Sequence, residues 1–160
     1  MNDSDYRMYP EARPSAAEYK EMDAPVRRLV AALNRLPSVR TISSCGGHET
    51  PVSLDSLPFE QWYVTIVLEP ADWEADIHAP SPQAWMDLEF LAYLVNAPPL
   101  RTREVEIVAY AKPPHLNFPG RMLAFNLHGW RDGEGGVEPD ELAAEIDKGL
   151  LELYRAAGED

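Results

Sequence analysis

Trp62-Tyr63-Val64-Thr65-Ile66-Val67-Leu68-Glu69 is the stretch that decides the fold. Trp62, Val64, Ile66 and Leu68 alternate with Tyr63, Thr65 and Val67. Successive residues of a strand point to opposite faces, and here both faces carry apolar groups. The spacing therefore predicts a strand well inside a sheet. A sheet needs partners, and three more segments supply them. Val39 to Ser43 reads as a short strand, as do Glu104 to Ala111 and Arg121 to Trp130. In the last, Leu123, Phe125 and Leu127 face one way, while Met122, Ala124, Asn126, His128 and Trp130 face the other. The turn-rich link from Lys112 to Gly120 suggests that the last two strands form a hairpin.

Three helices are expected around these strands. Asp23 is a good N-cap and Pro25 suits the first turn, so a helix runs from about Ala24 to Leu36. Its stripe is Val26, Leu29, Val30, Leu33 and Leu36, and Pro37 stops it. Ser81-Pro82 opens a second helix to about Asn96, with Trp85, Leu88, Ala92 and Val95 on its core face, broadened by Leu91 and Leu94. Pro139 opens a third to about Ala156, with Leu142, Ile146, Leu150 and Leu153 inward. Residues 50–60 and 131–138 read as loops, residues 70–80 as an acidic connector, and residues 1–22 as a polar arm. The order predicts one α+β domain over residues 1–160: a mixed or mostly antiparallel four-stranded sheet with helices packed on one face.

Composition sets bounds on function. The chain has 160 residues, a hydrophobic fraction of 45% and a formal net charge of −13. Such acidity argues against broad phosphate-backbone binding, which needs clustered Lys and Arg. A local basic patch of Arg27, Arg28, Arg35 and Arg40 stays open. The single cysteine cannot form an internal disulfide. No apolar run is long enough to span a bilayer. The expectation is a soluble, cytoplasmic chain, with a homodimer among its partner states.

The most site-like segment is Thr41-Ile42-Ser43-Ser44-Cys45-Gly46-Gly47-His48-Glu49. Gly46 and Gly47 let the backbone approach a ligand, and successive N–H groups in such a turn can form an anion-binding nest. Ser43 and Ser44 add hydroxyl donors, so Ser43, Ser44, Gly46 and Gly47 are the expected cofactor-holding positions. Cys45 and His48 invite a nucleophilic reading, because an imidazole can favour the reactive thiolate. The third, orienting group of a catalytic set is not visible in the sequence. Cys45-x-x-His48 also has metal-ligand spacing, but a closed zinc shell would need His78, His115 or His128 to complete it, and no metal is assigned. The bland alternative is a tight strand-end turn around an inert cysteine. Asn126 and His128 are candidates for substrate contact on the far wall of a cleft, and Trp130 for an exposed stacking surface. Underlying the site reading is one expectation: that the bend shows its sulfur, imidazole and hydroxyls to solvent.

Residues Asp23 to His48 resemble the N-terminal motif of the wybutosine-synthesising tRNA methyltransferase family. That motif is a helix with a valine-rich stripe and an asparagine, then a strand ending in Ser-Ser-Cys-Ser-Gly-Arg. The matching positions are Leu29, Val30 and Asn34, then Thr41, Ser43, Ser44, Cys45 and Gly47. Gly46 stands where the family has serine, and His48 where it has arginine. The match covers about a sixth of the chain. The resemblance implies an α/β-type fold with its site at the Ser-Ser-Cys loop, S-adenosylmethionine as cofactor and RNA as substrate. The combined expectation is a small protein with a ligand-binding or catalytic cleft at Ser43–His48, taking a small molecule or nucleotide. Its rival is a non-catalytic protein-interaction module in which the loop is structural.

Overall fold

The computed structural model describes residues 20–50, 56–69, 71–72, 77–110, 121–122 and 124–158. Among them lie strands β1 (Val39–Cys45), β2 (Gln61–Leu68), β3 (Ile77–His78), β4 (Val105–Tyr110), β5 (Arg121–Met122) and β6 (Ala124–Trp130). The helices are α1 (Arg27–Leu33), α2 (Pro82–Asn96) and α3 (Pro139–Ala156), with a 3-10 turn at Ala24–Val26 leading into α1. The main sheet has the order β1-β2-β6-β4, and each pairing is antiparallel. The α+β architecture is thus the one expected. β6 inserts between β2 and β4, so the last strand in sequence is central in space. The parallel pair β3–β5 was not anticipated. It takes two residues from the expected acidic connector and two from the start of the expected fourth strand. The expected arm lies outside the described residues up to position 19, and so does the link 111–120.

β2 sits between two partners because its two faces are both apolar. Its Trp62, Val64, Ile66 and Leu68 join Leu127 of β6 and the inward residues of all three helices in one core. Trp62 is fully buried, and its indole N–H donates to the Val137 carbonyl at 2.8 Å. Burying 150–250 Å² of a tryptophan stabilises by roughly 4–6 kcal/mol at 25 cal/mol/Å². The ring lies over Gly129, where an added Cβ would come within 2.2 Å of it.

Two helix faces differ from expectation. On α2, the buried residues are Ala84, Asp87, Leu91 and Leu94, and Trp85 is 52% exposed. The stripe is rotated because Asp87 turns inward: its carboxylate accepts from the Ser38 N–H and from the Gln83 side-chain amide, both at 2.8 Å. That bond ties α2 to the turn before β1. On α3, Leu142, Ala143 and Ile146 are buried but Leu153 is 54% exposed, because the last turns of the helix run past the core. The asparagine of α1's end also has a structural task. Buried Asn34 donates to Thr41 Oγ1 at 2.9 Å and accepts from the Thr41 N–H at 3.3 Å, locking helix to strand.

Replacing Gly129 by alanine is expected to lower stability by about 1–3 kcal/mol, because Trp62 cannot retreat without breaking its hydrogen bond. Urea unfolding followed by tryptophan fluorescence measures this; a change below about 0.5 kcal/mol would contradict the packing.

Candidate functional site

β1 runs to Cys45, two residues beyond its expected end, and the chain then turns sharply. Gly47 makes the turn with φ +80°, and a Cβ there would lie 2.4 Å from the Gln61 carbonyl oxygen. Both the dihedral and the space demand glycine. The His48 N–H then donates to the Leu57 carbonyl at 3.0 Å, which fixes the direction of the returning chain.

Asp23 departs from its expected role as a helix cap: its side chain makes no capping bond. Its Oδ2 instead accepts from the Gly46 N–H at 2.8 Å and lies 3.0 Å from His48 Nε2. The carboxylate, the imidazole and the Cys45 sulfur each present a donor atom within 4.8 Å of the other two. Asp23 is a neighbour of this loop that the sequence did not reveal. A capping aspartate and a clasping one look alike in a sequence, so no signal could have distinguished them.

The thiol corrects the exposure expected of this bend. Cys45 is only 5% exposed, and its Sγ accepts a 3.5 Å hydrogen bond from the Leu57 N–H. Cys45 is the last residue of the edge strand β1, paired with Tyr63 of β2, rather than part of a free loop. The Asp23 and His48 side chains keep 30% and 22% of their surfaces in solvent. Gly46 is buried against Asp23 and Pro25.

The sheet face away from the core carries the other candidates. Register places Cys45, Tyr63, His128 and Glu106 in one cross-strand row, and Ser43, Thr65, Asn126 and Val108 in the next. Ser43 Oγ donates to Thr65 Oγ1 at 3.0 Å, and Thr65 Oγ1 donates to Asn126 Oδ1 at 2.6 Å. Ser43 and Asn126 are therefore joined through Thr65. Cys45 and His128 share a face but stand two strands apart, roughly 10 Å. Ser44 pairs with Val64 in the register of the core face. His78 lies in β3, where side chains are not described, and His115 lies outside the described residues. Tyr63, Thr65 and Glu106 were missed because the sequence showed them only as alternating strand positions.

His128 Nε2 lies 3.1 Å from Gln61 Oε1, and the ring tautomer protonated at Nε2 would donate to that oxygen. The ring packs on Trp130 with centroids 4.1 Å apart. Trp130 also borders an open hollow of about 290 Å³ with Arg103, Glu104, Val105 and Glu106. Burial pushes the His128 pKa down, and the Glu106 carboxylate, 3.9 Å from Nδ1, partly opposes that. The basic residues near the site are otherwise occupied. Arg27 donates to the Met22 and Lys20 carbonyls, Arg28 and Arg35 pair with Asp147 of α3, and buried Arg40 donates to the Pro37 and Val39 carbonyls. Two of the four are thus in ion pairs and two are bonded to backbone carbonyls.

Two outcomes follow. Iodoacetamide is expected to alkylate Cys45 far more slowly in the native protein than in urea; equal rates would contradict the sealed thiol. His128 is expected to titrate below 6.5 by NMR, and lower still in Glu106→Gln, which removes the opposing charge. With a lowered folded pKa, its contribution to stability is complete above about pH 6.5 and declines as pH falls through the folded value. An unshifted midpoint in both proteins would contradict this account.

The chain matches no known protein family, no curated protein and no solved structure.

Proposed function

We propose that the protein binds a small polar ligand at the end of β1, with the Asp23–His48 pair as its acid–base element and the Cys45 sulfur beside it. One observation carries this reading. Three chemically different donor groups, drawn from the helix entry, the strand end and the turn, lie within 4.8 Å of one another. A carboxylate bonded to an imidazole fixes the ring's orientation, which is the logic of catalytic triads and of metal centres alike. The buried thiol argues against direct attack on a bulky substrate, so ligand binding is favoured over covalent chemistry. The Ser-Ser-Cys resemblance is the reason to place S-adenosylmethionine and nucleotides first among ligands to test. The net charge of −13 and the paired arginines speak for a small molecule over an RNA chain.

A second reading rests on a different surface. Trp85, Met86 and Tyr93 are 52%, 62% and 68% exposed on the outer side of α2. An aromatic stripe of that kind suits a protein-interaction module, a homodimer included.

The test is a thermal-shift titration with S-adenosylmethionine, nucleosides and nucleotides. A specific ligand at a hundred times its Kd stabilises by about 2.7 kcal/mol and is expected to raise Tm by roughly 5–10 °C. The shift should vanish in His48→Ala, with circular dichroism confirming its fold, and persist in Trp85→Ala. Silence from every ligand, together with a dimer that dissociates in Trp85→Ala or Tyr93→Ala, would replace the first reading by the second.

A further inference from the structure

We propose that Asp23, Cys45 and His48 form a three-ligand site for a divalent metal ion of the zinc class, with a fourth position open towards solvent. This rests on reading the end of β1 as the functional site and names an occupant for it. The donor set is one thiolate sulfur, one imidazole nitrogen and one carboxylate oxygen. That mixture suits zinc and its cobalt surrogate. Magnesium and calcium take oxygen ligands, and an iron–sulfur cluster needs several thiolates.

The geometry fits without rearrangement of the fold. Metal bonds of 2.0–2.3 Å at tetrahedral angles place donors about 3.3–3.8 Å apart. Here the carboxylate and imidazole atoms are 3.0 Å apart, and all three donors lie within 4.8 Å. Side-chain rotations that move each atom by less than about an ångström would close the site. Asp23 and His48 would exchange their mutual hydrogen bond for bonds to the ion. The imidazole would carry its proton on Nδ1, and the thiol would lose its proton to solvent on binding.

Outer contacts that metal centres use are already in place. The Gly46 N–H holds Asp23 Oδ2 at 2.8 Å, and the Leu57 N–H points at Cys45 Sγ at 3.5 Å. Such donors orient ligands and stabilise their negative charge. The partly exposed edges of Asp23 and His48 leave a route of entry and a side for the fourth ligand, which would be water or the small molecule itself. Gly46 helps directly, since a Cβ there would press on Asp23 Cβ at 3.0 Å and displace the carboxylate.

The test is cobalt(II) titration of the full chain after chelator treatment, followed by displacement with zinc. The expected result is one ion per chain with an intense near-ultraviolet thiolate-to-cobalt band. Cys45→Ser should abolish the band. His48→Ala and Asp23→Asn should each weaken binding by at least the roughly 10–100-fold that loss of an outer-shell partner causes. Circular dichroism and a melting curve show that each variant is folded. No band in the folded wild-type protein at stoichiometric cobalt would overturn the proposal, as would affinity unchanged in both His48→Ala and Asp23→Asn. Running the organic ligands on the metal-free protein separates the two readings. A ligand shift with cobalt silent removes the metal and keeps the site. A cobalt band with no ligand shift, with or without metal, keeps the metal and removes the organic ligand.

Discussion

One carboxylate oxygen, Oδ2 of Asp23, holds the entry of the first helix against the end of the first strand. It accepts the Gly46 N–H and meets the His48 ring, and nothing else in the described structure fixes that turn to the helical layer so directly. The residue gives up its capping role. A side-chain cap, worth about 1 kcal/mol, would satisfy one backbone donor, whereas here the carboxylate meets both the Gly46 N–H and the His48 ring. Two such contacts take the place of one cap. The helix start makes do with a 3-10 turn and with the Val26 N–H bonded to the Asp23 carbonyl. The glycine pair makes the arrangement possible, Gly47 through its dihedral and Gly46 through its lack of bulk.

The sheet divides the molecule into two chemical halves. On the helical side, β2 and β6 bury tryptophan, valine, isoleucine and leucine around Trp62. On the other side, the four strands together place hydroxyls, an amide, an imidazole and a carboxylate in two registered rows. The insertion of β6 between β2 and β4 is what joins Thr65 to Asn126 and Gln61 to His128, residues more than sixty positions apart. The polar face and the β1-end cluster meet at Cys45, whose backbone belongs to the sheet and whose sulfur belongs to the cluster. Any ligand held by Asp23 and His48 therefore sits at one end of the polar row that leads towards His128.

The fold was legible because its signals are local and strong. Alternation over Trp62–Glu69 marked a central strand, and the proline-led helices at Ser81 and Pro139 began where their chemistry said they would. The face of α2 was not legible, because Asp87 enters the core through a partner, Ser38, that lies 49 residues away. Trp85 looked like core by spacing, but a buried carboxylate with its own donors rotated the helix. The Ser43–His48 segment stood out in the sequence for its glycines and its lone cysteine. The burial of the sulfur could not be read there, since Tyr63 and Leu57 meet Cys45 only on folding. Nor could the role of Asp23, which only the folded chain brings to the loop. Gly46 and His48 are both part of the Asp23 clasp. A serine side chain at position 46 would crowd the carboxylate, and an arginine at position 48 would present no neutral nitrogen donor.

The most direct measurement is a double-mutant cycle on Asp23→Ala and His48→Ala, read by urea unfolding. In each arm the Gly46 N–H is treated alike, so the cycle isolates the carboxylate–imidazole contact. A coupling of about 1 kcal/mol or more is expected if this pair clamps the turn to the helix. Losses that add to within about 0.3 kcal/mol would show that the two groups are neighbours without being partners, and the clasp would no longer explain the site.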